Sequence, residues 1–366
     1  MSHLRQDQLS RVVIKGYKSI KECDIELKNI NVLIGSNGAG KSNFVSAFEL
    51  LRKILSHELQ LHVAKKGLNS LFYNGLKVTD SIEVEFHIGK MNYTFELQAN
   101  AANRIFFRNE AVNHGSTSLS VDDAEVLRTK GLLIPSAESQ FVNAVPALKR
   151  LYDFRYYHFH DTGITSKIKA EHNISNSKNL QWDASNLAAF LYRLREHHAV
   201  SYKNILFNIK LVAPYFNDFE LEPMEYNKEL ITLRWLQNGC EDIFNASQLS
   251  DGTLRFICLA ALLLQPLELQ PSTIIIDEPE IGLHPFAITI LAEMVQKVAA
   301  NKQVILSTQS VELLNHFGPE DVVVVDRDSD GSKFKRICPI SLKEWLEDYT
   351  LGELWNKNIL GGRFAR

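Results

Sequence analysis

The chain has 366 residues, of which 45% are hydrophobic and 23% charged, enough apolar material for one large core or two modest ones; a chain disordered over most of its length is excluded. Forty Lys and Arg against 43 Asp and Glu leave a formal net charge of −3. That balance lacks the basic excess behind sequence-independent attraction to nucleic acid, so a nucleic-acid partner would need a local patch.

Short strands are expected over 12–15, through Cys23, Ile25 and Leu27, and over 30–34, where a glycine-rich turn follows at once. From Lys41 the apolar positions Phe44, Ala47, Phe48, Leu51 and Ile54 recur at three and four, the stripe of an amphipathic helix. Between Ser81 and Phe107 the period becomes two, with Ile82, Val84, Phe86 and Ile88 on one face and a turn at Gly89 and Lys90, which predicts an antiparallel sheet. Residues 121–213 read as mainly helical, including a helix over 184–197 with Asp183 or Ser185 as its N-cap. The last third alternates: a helix near 252–264, a buried strand over 273–276, a helix over 285–299 and a strand over 303–306, the order of parallel strands joined by helices. A hairpin pairing 322–325 with 334–337 and a short helical tail complete the chain.

Cys23, Cys240, Cys258 and Cys338 are dispersed without a CxxC pair, which points away from a zinc knuckle or a disulfide framework and toward a reducing cytoplasm. The longest apolar run, Phe256 to Leu264, is nine residues, about half of the roughly 18 that cross a bilayer, so no membrane span is expected. Arg5 and Arg11 precede no apolar stretch of the secretory kind.

Residues 35–42 read GSNGAGKS, a full GxxxxGK[ST] match after a strand and before a helix. Gly35, Gly38 and Gly40 let the backbone curl so that its N–H groups, from Gly35 through Ser36, Asn37, Gly38, Ala39 and Gly40 to Asn43, converge on phosphates at a helix N-terminus. Lys41 would neutralise the β and γ phosphates of ATP, and Ser42 would give a hydroxyl to Mg²⁺. The plain alternative is a glycine turn with an incidental lysine. Asp277 and Glu278 end the strand 273–276 at its carboxyl end, where α/β ligands sit, and two adjacent acids there are costly without a cation. Asp277 is the candidate Mg²⁺ ligand and Glu278 the candidate base that orients water; a helix N-cap pair with Glu280 is the alternative.

Together with these motifs, LSDGT over 249–253, IIIDEPEIGLHP over 274–285 and LSTQS over 306–310, in that order, resemble the ABC ATPase superfamily. The resemblance implies an α/β fold: a P-loop NTPase with an ABC-type ATPase core, a mixed sheet with flanking helices plus an antiparallel β subdomain, with a mostly helical insertion. It implies that Ser250, Asp251 and Gly252 form a signature that caps the γ-phosphate held by a second copy, in a homodimer around two ATP molecules; a helix start capped by Ser250 is the alternative. Gly282 and His284 stand at the D-loop position, which crosses to the partner. Where the family commonly has a histidine at the switch position this chain has Gln309, an amide that hydrogen-bonds but does not become cationic. For the Q-loop, Gln140 is the candidate.

The opening strands and GSNGAGKSN resemble RecF, SMC and OLD-type ATPases rather than membrane transporters, and YYHFHDTG over 156–163, SNLAAFLYRLR over 185–195 and LGELWNKNILGGR over 351–363 resemble a small OLD-like subgroup. Lys18 and Ser19 lie where SMC-like relatives carry a KS pair near the nucleotide, so Lys18 approaches a phosphate or ends a solvated strand. Lys41 and Asp277 are 236 residues apart, and no heptad run fills the gap, so the expected division is a nucleotide-binding core over 1–115 and 240–366 with a compact, mostly helical lid lobe over 116–239. The implied function is an ATP-hydrolysing switch, the ATPase of an antiphage system with a separate protein effector. Alternatives are a RecF-like repair ATPase, with DNA as a further partner, a nuclease using Asp326, Asp328 and Asp330, and an ATP-binding module without turnover. Only 36 residues follow Asp330, few for a nuclease domain. An HxH pair, His158 and His160, has the spacing of metal ligands or of an ordinary strand face.

Overall fold

The computed structural model describes residues 8–100, 102–115, 117–122 and 146–362. The chain divides into two compact units, Met1–Tyr156 with Ser272–Asp277 and Gln303–Arg366, and Tyr157–Pro271 with Glu278–Lys302.

The first unit holds two six-stranded sheets. One is antiparallel, in the order β2 (Ile20–Glu26), β1 (Leu9–Tyr17), β4 (Ser81–Ile88), β5 (Met91–Ala99), β6 (Ile105–His114) and β7 (Thr117–Asp122). Residues of β4 alternate between half-buried and buried, as a sheet with one solvated face requires, and Gly89, at φ +57°, supplies the expected turn into β5. The other sheet runs β17 (Gly331–Arg336), β16 (Val322–Asp328), β3 (Ile30–Ile34), β15 (Gln303–Thr308), β14 (Thr273–Asp277) and β8 (Phe154–Tyr157). Its centre, β16, β3, β15 and β14, is parallel, while β17 returns antiparallel in the expected hairpin. Every residue of β14 and β15 is buried, which explains their unbroken apolar runs.

Helix α1 (Lys41–Leu55) turns Phe44, Ala47, Phe48, Leu51 and Ile54 into a core shared with Val84, Phe86 and Phe95 of the antiparallel sheet and Ile275 and Ile305 of the parallel one. Helix α2 (Leu59–Lys66) follows it. A buried Gln303 ties the two sheets. Its amide donates to the carbonyls of Leu9 (2.7 Å) and Lys28 (2.9 Å), and its oxygen accepts from Thr273 (2.9 Å), which satisfies a polar group that would otherwise be costly there.

In the second unit, helices α3 (Leu187–His197), α4 (Ala199–Val212), α5 (Asp251–Leu264) and α6 (Pro285–Ala299) stand beside a small antiparallel sheet, β10 (Phe216–Glu220), β12 (Arg234–Gln237) and β13 (Ile243–Asn245), and a two-strand ribbon of β9 (His172–Asn173) with β11 (Leu230–Ile231). All eleven residues from Leu254 to Leu264 are buried, because α5 packs against α3, α4 and α6. These units divide the chain differently from the expected core and lobe: α5 and α6 make their contacts with the intervening helices and so join them. Within the described part of 116–239 two α-helices alternate with short strands and turns. Helix α3 begins at Leu187 after Asn186 rather than after Asp183 or Ser185, since the buried Asn186 side chain holds the preceding loop through Gln181 N (2.9 Å) and the carbonyls of Asn176 (2.7 Å) and Asn179 (2.9 Å).

Back in the first unit, α7 (Val311–Leu314), α8 (Trp345–Asp348) and α9 (Leu351–Asn356) complete the chain.

Candidate phosphate site and signature segment

Strand β3 delivers the chain into the loop Gly35 to Gly40, and α1 leaves it at Lys41. Gly40 is the N-cap of α1 at φ +116°, and a Cβ there would stand 2.0 Å from Ser332 Oγ. A Cβ on Gly35 would stand 2.3 Å from the Val325 carbonyl. Gly38, at φ +77°, meets nothing and needs glycine for its backbone alone. No side chain caps α1 and no acid occupies its first turn, so its leading amides are left to an anion. The Lys41 ammonium, 4% exposed, lies back on the loop and donates to the carbonyls of Gly35 (2.7 Å) and Ser36 (3.1 Å). Asn37, Gly38 and Ser42 are exposed, Ala39 is buried, and Asn43 donates to Ser19 Oγ (2.6 Å).

The two candidate Mg²⁺ ligands meet: the Ser42 hydroxyl donates to Asp277 Oδ1 at 3.3 Å, and Ser307 Oγ donates to the same oxygen. Hydroxyl and carboxylate oxygens beside a phosphate loop suit Mg²⁺, a hard cation that takes one or two protein ligands and completes its shell with water and phosphate. Among the described residues no group of three or more His, Cys, Asp or Glu forms a protein-only metal cage. Gln309 is exposed, directly after β15 and before α7. Gln140 lies outside the described residues.

Sequence reading missed the braces behind this loop. Ser19 Oγ is 2.7 Å from Ser332 Oγ, the Ser332 amide donates to the Ser19 carbonyl (2.8 Å), and Arg327 donates to Gly38 O (3.2 Å). The KS pair was the available signal, but its two members work apart. Lys18, at φ +50°, donates to Ser46 Oγ (2.7 Å) on α1. Burial pulls its ammonium down to about 8, partly opposed by the Glu49 carboxylate. Lys18 is therefore a half-buried residue beside α1 and not a solvated strand end.

In the second unit, Ser250 is the N-cap of α5, its hydroxyl accepting from Thr253 N (3.1 Å), so the plain reading of LSDGT as a capped helix start holds geometrically. Ser250 and Asp251 are exposed. A Cβ on Gly252 would stand 2.2 Å from the Gly282 carbonyl, so the signature and D-loop positions touch within one chain. Arg255, which sequence reading passed over, secures them: it is 6% exposed and donates to Phe159 O (3.0 Å), His160 O (3.3 Å) and Ile281 O. His284 is exposed and caps α6, accepting from Phe286 N (3.3 Å). Glu278, next in the chain after Asp277, holds φ +45°, a left-handed conformation costly for a side chain of this kind and a mark of functional positions. The His158 and His160 rings pack against each other, tilted by 38°, with centroids 3.9 Å apart. In the hairpin, Asp328 Oδ1 accepts from Asp330 N (2.8 Å) and Asp330 pairs with Lys21 (3.4 Å), the behaviour of turn residues.

The chain is 24% identical over 375 residues to Old nuclease of Escherichia phage P2, an alignment covering 92% of this chain and 62% of that protein. It therefore spans less than two thirds of that relative. Against the DNA replication and repair protein RecF of Vibrio campbellii it is 37% identical over 84 residues, 22% of this chain and 23% of that one. A solved SMC head, bound to the C-winged helix domain of ScpA, matches with a TM-score of 0.59 and 14% identity over 92% of this chain and 99% of that chain, which shows a shared fold. The family described as "AAA domain, putative AbiEii toxin, Type IV TA system" matches residues 30–315. The chain belongs to that family and is an ABC-type ATPase domain of the RecF, SMC and OLD-like group.

Proposed function

We propose that the protein binds ATP with Mg²⁺ and hydrolyses it in a homodimer that works as a switch. The observation that carries this reading is the meeting of Ser42 and Asp277 at 3.3 Å beside a phosphate loop whose helix start is uncapped. In this reading the loop amides from Gly35 to Asn43 hold the phosphates, and Lys41 turns from the loop carbonyls to the β and γ oxygens. Ser42 and Asp277 hold Mg²⁺, which when bound neutralises charge developing on the phosphates. Glu278 orients and deprotonates the attacking water, and Gln309 hydrogen-bonds the γ-phosphate without adding charge.

Ser250, Asp251 and Gly252 of a second copy complete the site, with Gly282 and His284 at the contact between copies; the exposure of Ser250 and Asp251 supports this half-site role. Gln140 stays a candidate γ-phosphate sensor, and the segment 116–239 a lobe whose position reports the nucleotide state. Closing and reopening of the dimer then signals to a separate protein effector. The motif resemblance to OLD-type ATPases supports a setting in antiphage defence and in the cytoplasm; no helix among the described residues is long and apolar enough to cross a membrane. The RecF likeness supports a second reading, DNA maintenance, which predicts ATPase activity stimulated by DNA.

Light scattering with and without ATP and Mg²⁺ tests the core of the proposal. A monomer that doubles its mass with ATP, most completely in Glu278→Gln with turnover lost, is the expected result. Unchanged turnover in Glu278→Gln would overturn the catalytic assignment.

A further inference from the structure

The tail motif LGELWNKNILGG, which the ATP chemistry leaves without a task, lies between the two ends of the candidate phosphate site. Its helix α9 starts at a capping box: Thr350 Oγ1 accepts from Glu353 N (3.2 Å), and the Thr350 amide donates to Glu353 Oε2 (2.8 Å). Hydrogen bonds from the backbone and then the hydroxyl of Thr350 hold the Glu353 carboxyl below its usual range. Leu351, Leu354 and Trp355 are buried and anchor the segment.

On one side α9 grips α7, the helix that begins two residues after Gln309. Gly352 N donates to Asn315 Oδ1 (2.7 Å), and a Cβ on Gly352 would stand 2.4 Å from Val311 Cγ1. On the other side the chain turns through Asn358, at φ +57°, and the buried Gly362 presents its carbonyl to the amide of Ser36 in the phosphate loop (3.1 Å). Gly362 holds φ +81°, and a Cβ there would stand 2.8 Å from Val324 Cγ1 and 3.0 Å from the Trp355 ring. One short segment thus bonds the loop that would hold the phosphates and the helix that begins two residues after the switch position.

We propose that Thr350 to Gly362 is a positioning clip for the nucleotide site, joining Ser36 to α7, the helix that follows the switch position, so that loop and switch move together when ATP binds. The clip rests on the ATP-binding reading. It touches no reacting atom; it fixes the first turn of the phosphate loop through a backbone bond that a side chain on Gly362 would break. When Lys41 leaves the carbonyls of Gly35 and Ser36 for the phosphates, the Ser36 to Gly362 bond and the Trp355 ring packed on Gly362 are the first neighbours to feel the change.

The test compares full-length wild type, Gly362→Val, Asn315→Leu and Asn315→Asp by calorimetry with ATP and Mg²⁺, alongside thermal unfolding. Asn315 is exposed, so its variants fold, and aspartate keeps the acceptor for Gly352. A fall in ATP affinity of roughly fivefold or more is expected in Gly362→Val and Asn315→Leu, and near wild-type affinity in Asn315→Asp. Trp355 supplies a second readout: the difference in emission between wild type and Trp355→Phe should shift on adding ATP. Variants that melt earlier but bind ATP as wild type does, with no shift in the Trp355 signal, would make the segment a structural tail and overturn the clip. Wild type that binds no ATP would remove the nucleotide reading and the clip together, an outcome visible before any variant is compared.

Discussion

The phosphate loop and the signature segment are both helix starts, and they differ in what holds them. The loop leaves α1 without a side-chain cap and is braced from far away, by Val325 behind Gly35, Ser332 behind Gly40 and Gly362 against Ser36. The signature segment caps itself with Ser250, stays exposed, and is braced within its own unit by Gly282 and Arg255. A start that spends its own hydroxyl on its amides is complete as a helix; one that spends none is left open to an anion. In the proposed reading, the contrast separates a loop that holds a phosphate from a surface that a second copy brings to one.

The largest effect expected from breaking this contrast is at Gly40. Gly40→Val places a branched side chain at φ +116° against Ser332, and ATP affinity should fall on the order of 100-fold or more in calorimetry, while the second unit keeps its fold. Next, Lys41→Ala and Gly252→Val proteins should each be inactive alone. Mixed in equal amounts they should recover about a quarter of wild-type ATPase activity, because half the dimers pair one sound loop with one sound signature. No recovery on mixing would place both parts of the site in one chain.

Smaller effects separate structure from chemistry. Lys18 has its pKa lowered, so its penalty is fully present below about pH 8 and is relieved as pH rises from there toward 10.5, where the unfolded chain binds the extra proton. Lys18→Met should stabilise the nucleotide-free protein at pH 7 by on the order of 1 to 2 kcal/mol and flatten that rise, measured by urea unfolding at pH 7 and 9.5. Least of all, Ser250→Ala should cost α5 about 1 kcal/mol and Ser250→Gly a few tenths. If both lower ATPase activity equally, the hydroxyl acts on the nucleotide; if activity follows stability, it acts as a cap.

Much of the fold was legible because the signals are local. The two-residue period of β4, the three-and-four stripe of α1, the apolar runs of β14 and β15 and the bounds of α6 each depend on neighbours in sequence. The meeting of Ser42 with Asp277 was legible from motif order. The chain between His158 and Asn186 was less legible, because much of it is irregular and is held by buried side-chain bonds such as those of Asn186, which have no period to read. Arg255 gave no signal either, since a lone arginine in an apolar helix looks the same whether it is solvated or holds three carbonyls.

By itself the sequence determined the glycine loop before α1, the acid that ends β14, the starts of α1 and α6 and the parallel strands, all of them patterns spanning a few turns of chain. Tertiary structure decided which distant group stands against each glycine: the Ser332 side chain against Gly40, the Gly282 carbonyl against Gly252 and the Ser36 amide on the Gly362 carbonyl. The physical reason is that a glycine reports only that something is close or that φ is positive. What is close depends on which strands pair and which helices pack, and that is settled by burial over the whole unit.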